Sequence, residues 1–295
     1  MTKRAASEPT AVTIGMLVDL LAEPLRAEGF SEPVLEAREV VAALYDAPRF
    51  WPIANAGMIV DRARYERAMR ALQLRVLGAP LAYAVGRAAF RHLTLDVDER
   101  VLIPRPETER LVDLVFEHAP QRSGGVAIDV GTGSGAIALA LATEGKFSRV
   151  YGVDISRDAL AVAQRNVDAH ASDLRAPVEL IHGSLLAPVA HLRADVVVSN
   201  PPYIAHGESS ALPPSVRDWE PAVALYSGSD GMTATARLVR EATEILEPGG
   251  LLALEVDVRR ASLAAELVSR EQRFHRIRVE LDLTGRERFV LATKR

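Results

Sequence analysis

Residues 200–203, Asn-Pro-Pro-Tyr, form the part of the sequence whose side chains most directly suggest chemistry. An Asn side chain offers a carbonyl acceptor, and a backbone carbonyl held in a rigid loop offers a second one. Two such acceptors can hold both hydrogens of a planar NH2 group, while the ring of Tyr203 packs against the rest of the planar system. The alternative is a strand-end turn without chemistry, because Asn-Pro is a common turn dipeptide.

The residues before this run predict where it lies. Residues 194–199 are rich in valine and end in a polar residue, which is typical of a buried parallel strand. The two prolines that follow Asn200 have fixed φ angles and no backbone donor, so they hold Asn200 and Tyr203 at the carboxyl end of that strand. Ligands bind at this edge in open α/β sheets.

A glycine-rich loop at residues 129–135 (Asp-Val-Gly-Thr-Gly-Ser-Gly) is a second candidate site. Glycines let the backbone turn tightly and let a ligand approach, and the start of the following helix offers free N–H groups. Asp154 ends the next predicted strand, where its carboxylate can accept hydrogen bonds from ribose hydroxyls. With Ala136 counted, the loop also fits a dinucleotide pattern, so a nicotinamide dehydrogenase and a purely structural loop remain alternatives. The acid-led Gly-x-Gly-x-Gly form fits S-adenosylmethionine better.

Composition excludes several classes of site. The chain has 295 residues, a formal net charge of −4 and no cysteine, so a disulfide framework, a thiolate nucleophile and a cysteine–zinc site are impossible. The seven histidines are scattered, and we expect no metal site. The acidic balance argues against a general nucleic-acid binder. The polar amino terminus has no signal-peptide core, and no apolar stretch is long enough to span a membrane, which suits a cytoplasmic protein.

The periodicity of apolar residues predicts three regions. The first ten residues are predicted to be disordered, and helices follow, so residues 1–82 are expected to form a helical domain. One of these helices, at 62–77, is rich in arginine and is either a solvated face or a docking surface. Residues 83–103 switch to a period of two, which indicates a β-hairpin linker. From residue 104 to 295, strands and helices alternate, which indicates an α/β fold with a mostly parallel sheet.

Three segments together resemble a known family. These are residues 102–109 (Leu-Ile-Pro-Arg-Pro-Glu-Thr-Glu), the glycine loop and the Asn-Pro-Pro-Tyr run, and together they look like the bacterial peptide-chain release-factor glutamine N5-methyltransferases. Residues 78–83, Glu220-Pro221 and residues 282–288 echo further family segments. The resemblance covers nearly the whole chain. It implies a class I S-adenosylmethionine-dependent methyltransferase fold, Rossmann-like, with a mostly parallel seven-stranded sheet and a small helical amino-terminal domain.

The resemblance also implies an activity and a set of site residues. The enzyme would transfer a methyl group from S-adenosyl-L-methionine to the side-chain amide of the glutamine in the Gly-Gly-Gln motif of a release factor, which the amino-terminal domain would dock. The cofactor would be bordered by Gly131, Thr132, Gly133, Ser134, Gly135, Asp154, Leu185 and Asn200. The glutamine amide would be held by Asn200, Pro201, Pro202 and Tyr203, with Asn200, Pro201 and Tyr203 acting in catalysis.

The chain departs from the family pattern at Ala79, at Ser184 and at the pair Arg259-Arg260. The Asn-Pro-Pro-Tyr run, which we call the clamp, is also shared with enzymes that methylate other planar nitrogens. The alternative is therefore an N6-adenine or other amino-group methyltransferase that acts on nucleic acid or a ribosomal protein. A cofactor-binding scaffold without turnover is a further one, which the intact clamp disfavours.

Three charged residues outside these motifs have competing interpretations. Arg105 and Glu107 could brace the cofactor loop or cap the following helix, and we favour the structural role. Glu255, at a predicted strand end, is interpreted as structural as well.

Overall fold

The computed structural model describes residues 11–120 and 124–295. The amino-terminal segment for which disorder is predicted lies outside the described residues. The described residues fall into two compact units that divide between Arg87 and Ala88.

Helices make up the first unit. Within its described residues these are α1 (Ile14–Ala27), α2 (Pro33–Leu44), α3 (Trp51–Ala54), α4 (Arg62–Val76) and α5 (Leu81–Val85). The Thr13 side chain accepts a hydrogen bond from the Met16 amide, and Asp61 caps α4 in the same way from the Arg64 amide, at 2.9 Å.

The core of this unit joins α1, α2 and α4. It includes Ile14, Leu17, Leu21, Leu25, Val40, Val41, Leu44, Ala68, Ala71 and Leu72. The sequence pattern also predicts Leu20 on the buried face of α1, but Leu20 is 44% exposed because it lies at the edge of the apolar stripe. Along α4, Arg62 pairs with Glu66 and Arg75 pairs with Glu36.

A two-stranded hairpin, β1 (Arg87–Phe90) and β2 (Leu93–Asp96), comes next in the chain. The second unit then alternates helices and strands. Its helices are α6 (Pro106–His118), α7 (Ala136–Glu144), α8 (Arg157–Ala169), α9 (Pro214–Arg217), α10 (Ala222–Leu225), α11 (Thr233–Ile245) and α12 (Ala261–Arg270). Its further strands are β3 (Gly125–Val130), β4 (Phe147–Asp154), β5 (Val178–His182), β6 (Ala194–Ser199), β7 (Leu246–Glu255), β8 (Phe274–Leu281) and β9 (Glu287–Lys294). Short 3-10 helices lie at Ala187–Val189, His206–Ala211 and Val258–Arg260.

Seven strands form one sheet in the order β5-β4-β3-β6-β7-β9-β8. The pairs from β5 to β7 are parallel, whereas β9 is antiparallel to both β7 and β8. This confirms the predicted class I methyltransferase fold. Apolar clusters cover both faces of the sheet, one with α6 and α7 and the other with α11 and α12.

The order of the strands reverses between β3 and β6. From β3 the chain continues to β4 and β5 on one side, and then returns to place β6 and β7 on the other. Such a reversal leaves a crevice beyond the carboxyl ends of the two strands, where ligands bind in doubly wound sheets. Residues 131–135 follow β3 and residues 200–203 follow β6, so the topology brings the two candidate motifs to this crevice.

Two local features differ from the sequence prediction. Pro248, Gly249 and Gly250 predict a loop before a strand that begins at Leu251. Strand β7 begins at Leu246 instead, because these three residues form a bulge opposite β6. The short helices α9 and α10 were not predicted. No helix in the described part of the chain combines the length and apolar character needed to cross a membrane.

Candidate functional site

Two cavities lie at the carboxyl end of the sheet in the second unit. The first, of about 360 Å³, is lined by the strand ends that carry Gly131, Gly133 and Asp154. The second, of about 320 Å³, is lined in part by Arg105 and Tyr203. Leu102, Asn200 and Ala224 line both cavities. Asn200 therefore lies at the boundary between them.

A buried carboxyl group shapes the glycine loop. The Asp129 carboxylate accepts a hydrogen bond from the Thr132 hydroxyl at 2.6 Å and from the Ala138 amide at 3.1 Å. Burial raises the pKa of Asp129 to about 7. Its second oxygen is buried and has no hydrogen-bond partner. Asp129 thus ties the loop to the first turns of α7.

The residues of the loop face two ways. Gly131 has φ +73° and Gly133 has φ +54°, and both line the first cavity. A Cβ added at Gly131 would meet no protein atom within 4 Å, so it would project into open space at the cavity wall. Thr132 and Ser134 are buried in the protein instead. The Ser134 carbonyl accepts from the side-chain amide of Asn166 at 2.9 Å.

Asp154 ends β4 at the wall of the first cavity. Its two carboxylate oxygens accept hydrogen bonds from the Gly133 and Ser156 amides, each at 2.9 Å. These bonds fix the carboxylate and still leave each oxygen a lone pair for a hydroxyl donor. Burial raises the pKa of Asp154. Leu185 lines the same cavity with φ +51°, a left-handed conformation that is uncommon for a non-glycine residue.

Beside Leu185 lies one of the departures from the family pattern. The hydroxyl of Ser184 accepts a hydrogen bond from the Arg237 guanidinium at 3.1 Å, and both residues line the first cavity. Arg237 also donates to Glu241 at 2.6 Å, which anchors the guanidinium on α11. The sequence does not single out Arg237, because its contact with Ser184 joins positions 53 apart.

Asn200 has hydrogen-bond partners on two other elements. Its side-chain amino group donates to the Thr108 hydroxyl at 3.2 Å, and Thr108 donates to the Glu255 carboxylate at 2.7 Å. Thr108 and Glu255 are buried. Burial raises the pKa of Glu255 to about 7.

The other three residues of the Asn-Pro-Pro-Tyr run occupy different positions relative to the two cavities. Pro201 is buried, Pro202 lines the first cavity and Tyr203 lines the second. Burial, together with the nearby Glu255 carboxylate, raises the pKa of Tyr203 to about 12. Tyr203 is therefore a neutral phenol at physiological pH.

The contacts of Arg105 differ from both roles considered from the sequence, bracing the cofactor loop and capping the following helix. It precedes α6 but makes no side-chain capping bond. Its guanidinium instead donates to both carboxylate oxygens of Glu220, at 2.7 Å. Glu107 lies in the first turn of α6, where its charge favours the helix dipole.

The pair Arg259-Arg260 is also partnered. Arg260 donates to Glu208 at 2.7 Å and to the Asp230 carbonyl at 2.9 Å, and Arg259 lies 3.0 Å from the other Glu208 oxygen. These contacts hold the 3-10 turn that follows the Asn-Pro-Pro-Tyr run beside the end of β7, at the wall of the second cavity.

Known proteins resemble this chain at several levels. A family model described as "Methyltransferase small domain" matches residues 109–212. The crystal structure of a methyltransferase from Pyrococcus furiosus superposes with a TM-score of 0.53 at 19% identity, covering 78% of this chain and 98% of that one. At that identity the superposition supports the fold alone.

Curated relatives are much closer in sequence. The release factor glutamine methyltransferase of Gloeobacter violaceus is 41% identical over 230 residues, which are 78% of this chain and 76% of the relative. The protein of the same name from Moorella thermoacetica is 38% identical over 271 residues, which are 92% of this chain and 95% of the relative. Identity of 38% to 41% over at least three quarters of each chain shows that the chain belongs to the release factor glutamine methyltransferase family.

Proposed function

We propose that this chain transfers a methyl group from S-adenosyl-L-methionine to the side-chain amide nitrogen (N5) of the glutamine in the Gly-Gly-Gln motif of peptide-chain release factors. The family supports the activity. The observation that carries the site assignment is that Asn200 lines two cavities at once. A residue in that place can hold an acceptor nitrogen at the boundary between a cofactor and a substrate.

The first cavity fits the cofactor. Asp154 has lone pairs for the ribose hydroxyls, and the open space at Gly131 admits a ligand against the backbone. Leu185 and the Ser184–Arg237 pair form the wall on which we place the adenine. Thr132, Ser134 and Gly135 shape the loop from within rather than line the cavity. When bound, S-adenosylmethionine supplies a methyl group that its sulfonium already activates.

The second cavity fits the glutamine side chain. An amide nitrogen is a poor nucleophile because its lone pair is delocalised into the carbonyl. In our proposal the Asn200 side-chain oxygen and the Pro201 carbonyl accept its two N–H groups, and Tyr203 packs against the amide plane. Acceptors placed in this way favour positive charge that develops on the nitrogen, and alignment can lower the barrier by up to ~7–11 kcal/mol. We propose that the proton leaves to water.

The remaining assignments concern the partner and the setting. We propose that the helical domain of residues 1–82 recognises the release factor, with residues 83–103 as a linker and residues 104–295 as the methyltransferase domain. We expect the enzyme to act in the cytoplasm and, with a net charge of −4, without direct binding to nucleic acid. The amino-group alternative is not favoured, because the curated relatives are named for release factor glutamine.

Transfer of label from radioactive S-adenosylmethionine to purified release factors tests this function. The control is a release factor in which alanine replaces the glutamine of the Gly-Gly-Gln motif. We expect label on the first protein and none on the second. Label on neither protein, with cofactor binding intact, would contradict the proposed substrate.

A further inference from the structure

A chain of two hydrogen bonds connects Asn200 to the protein interior. The Asn200 amino group donates to the Thr108 hydroxyl at 3.2 Å, and that hydroxyl donates to the Glu255 carboxylate at 2.7 Å. Thr108 is 92 positions from Asn200 and 147 from Glu255, and lies in the first turn of α6. Ser199 and Leu254 are opposite each other on the neighbouring strands β6 and β7, so Asn200, which directly follows β6, comes next to Glu255, the last residue of β7.

When Glu255 is ionised, counting hydrogens fixes the direction of this chain of hydrogen bonds. A carboxylate only accepts hydrogen bonds, and a threonine hydroxyl has a single hydrogen. That hydrogen is used on Glu255, so the Thr108 oxygen faces Asn200 as an acceptor. If the Asn200 amide were rotated by half a turn, its carbonyl oxygen would meet the Thr108 oxygen with no hydrogen between them. With Glu255 ionised, the buried arrangement therefore accepts only the Asn200 amino group at this position.

We propose that Thr108 and Glu255 are positioning residues that orient the Asn200 amide so that its oxygen, rather than its amino group, is presented to the substrate amide. Thr108 lines neither cavity, so it acts through Asn200. This positioning role rests on the proposed function, because it assumes that Asn200 holds an N–H group of the substrate. If the Asn200 amide had the opposite orientation, its amino group would face the substrate N–H, and two hydrogen-bond donors would meet.

The family resemblance includes Thr108 only as part of residues 102–109, and the sequence pattern predicts for Glu255 only a structural role at a strand end. The contacts explain why a hydroxyl is needed at Thr108. Valine has the same shape but neither bond, whereas serine keeps the hydroxyl. A matched control is Thr143, which is buried on α7 and donates its hydroxyl to the Leu139 carbonyl at 2.8 Å, away from both cavities.

Steady-state methyl transfer to the release factor is the first test. The assays are run at about pH 8.5, above the pKa of about 7 that burial gives Glu255, so that the carboxylate form dominates. We expect Thr108→Val to lower kcat about tenfold, the value for one lost hydrogen bond in the transition state. We expect Thr108→Ser and the control Thr143→Val to keep kcat within about threefold of the wild type. Cofactor Kd stays within about twofold in all three variants.

A double-mutant cycle separates positioning from a structural role. Thr108→Val combined with Asn200→Ala should lose no more activity than Asn200→Ala alone, because the hydroxyl acts only through the Asn200 amide. If the losses of activity in the two single variants add in the double variant, the proposal is overturned. It is also overturned by a Thr108→Val enzyme as active as the wild type, or by a Thr108→Ser enzyme as impaired as Thr108→Val.

The orientation itself can be measured without a substrate. In the NMR spectrum of the wild type, the Asn200 side-chain NH2 signals are assigned by their loss in Asn200→Ala. One of the two hydrogens should exchange with solvent more slowly than the other, and Thr108→Ser should preserve this difference. Two equally fast hydrogens in the wild type would overturn the proposal even if Thr108→Val does not fold. If the wild type methylates no release factor, the proposed function fails, and this measurement still decides the orientation.

Discussion

The guanidinium of Arg105 donates to both carboxylate oxygens of Glu220, at 2.7 Å, across 115 positions of the chain. The Glu220 side chain is only 1% exposed. Burial raises the pKa of Glu220, and the Arg105 guanidinium acts in the opposite direction by stabilising the charged form. This ion pair fastens the segment that follows the Asn-Pro-Pro-Tyr run to the start of α6, beside the second cavity.

Replacement of Arg105 by alanine should destabilise the protein, because it leaves a buried carboxylate without its partner. We expect a loss of about 3 kcal/mol in the free energy of unfolding, measured with urea. The matched control is Arg110→Ala on α6, which breaks a pair with the more exposed Glu117 and should cost under about 1 kcal/mol. Equal losses in the two variants would contradict a special role for the Arg105–Glu220 pair.

The glycine loop offers a test that separates strain from ligand binding. Gly131 and Gly249 both have positive φ, +73° and +81°, and a Cβ at either would meet no protein atom within 4 Å. Alanine should therefore cost about 1–2 kcal/mol of stability at both positions. Only Gly131 lines the first cavity. Gly131→Ala should also raise the Kd for S-adenosylmethionine about tenfold, because the methyl group crowds the ligand.

Isothermal titration with S-adenosylmethionine checks the binding part of this prediction. Gly249→Ala should bind like the wild type. If Gly131→Ala also binds like the wild type, the cofactor does not lie against this part of the loop.

Two buried carboxyl groups should make stability depend on pH. Burial raises the pKa of both Asp129 and Glu255 to about 7. A carboxyl whose pKa is higher in the folded state binds its proton more tightly there than in the unfolded chain. Its contribution to stability is therefore full below the unfolded pKa near 4 and is lost as the pH rises through about 7.

Unfolding free energies at about pH 5 and about pH 7 measure this loss, which reaches ~1.4 kcal/mol per pH unit for one proton. Glu255→Gln should flatten the decrease, and so should Asp129→Asn. Glu287→Gln removes an exposed carboxylate and serves as the control. A decrease as steep in Glu255→Gln as in Glu287→Gln would show that Glu255 is ionised throughout this range.

Local patterns predict the fold well where the chain is regular. The valine-rich run at 195–199 becomes β6 (Ala194–Ser199), because a fully buried strand must be apolar along its whole length. The segment that contains α9 and α10 has several prolines and no apolar period, so no pattern indicates its short helices. The pairing of Arg105 with Glu220 is hidden for a different reason. It joins residues far apart in the chain, and either charge alone reads as a solvated side chain.

In the site as well, local signals in the sequence can be predicted, whereas contacts between distant residues cannot. The sequence singles out Asn200, because its neighbouring prolines and the strand before it are local signals. Thr108 and Glu255 are hidden as its partners, since their bonds to one another depend on the neighbouring ends of β6 and β7 and on the start of α6.

The central claim is that Asn200 holds the glutamine amide for methyl transfer. Its most direct test is mass spectrometry of the Gly-Gly-Gln peptide from a release factor incubated with S-adenosylmethionine and either the wild type or Asn200→Ala. We expect the wild type to add the mass of one methyl group to that glutamine. The variant should add it at least ~10²-fold more slowly while its cofactor Kd stays close to the wild-type value. Equal loss of methyl transfer and cofactor binding, or undiminished transfer by Asn200→Ala, would contradict the account.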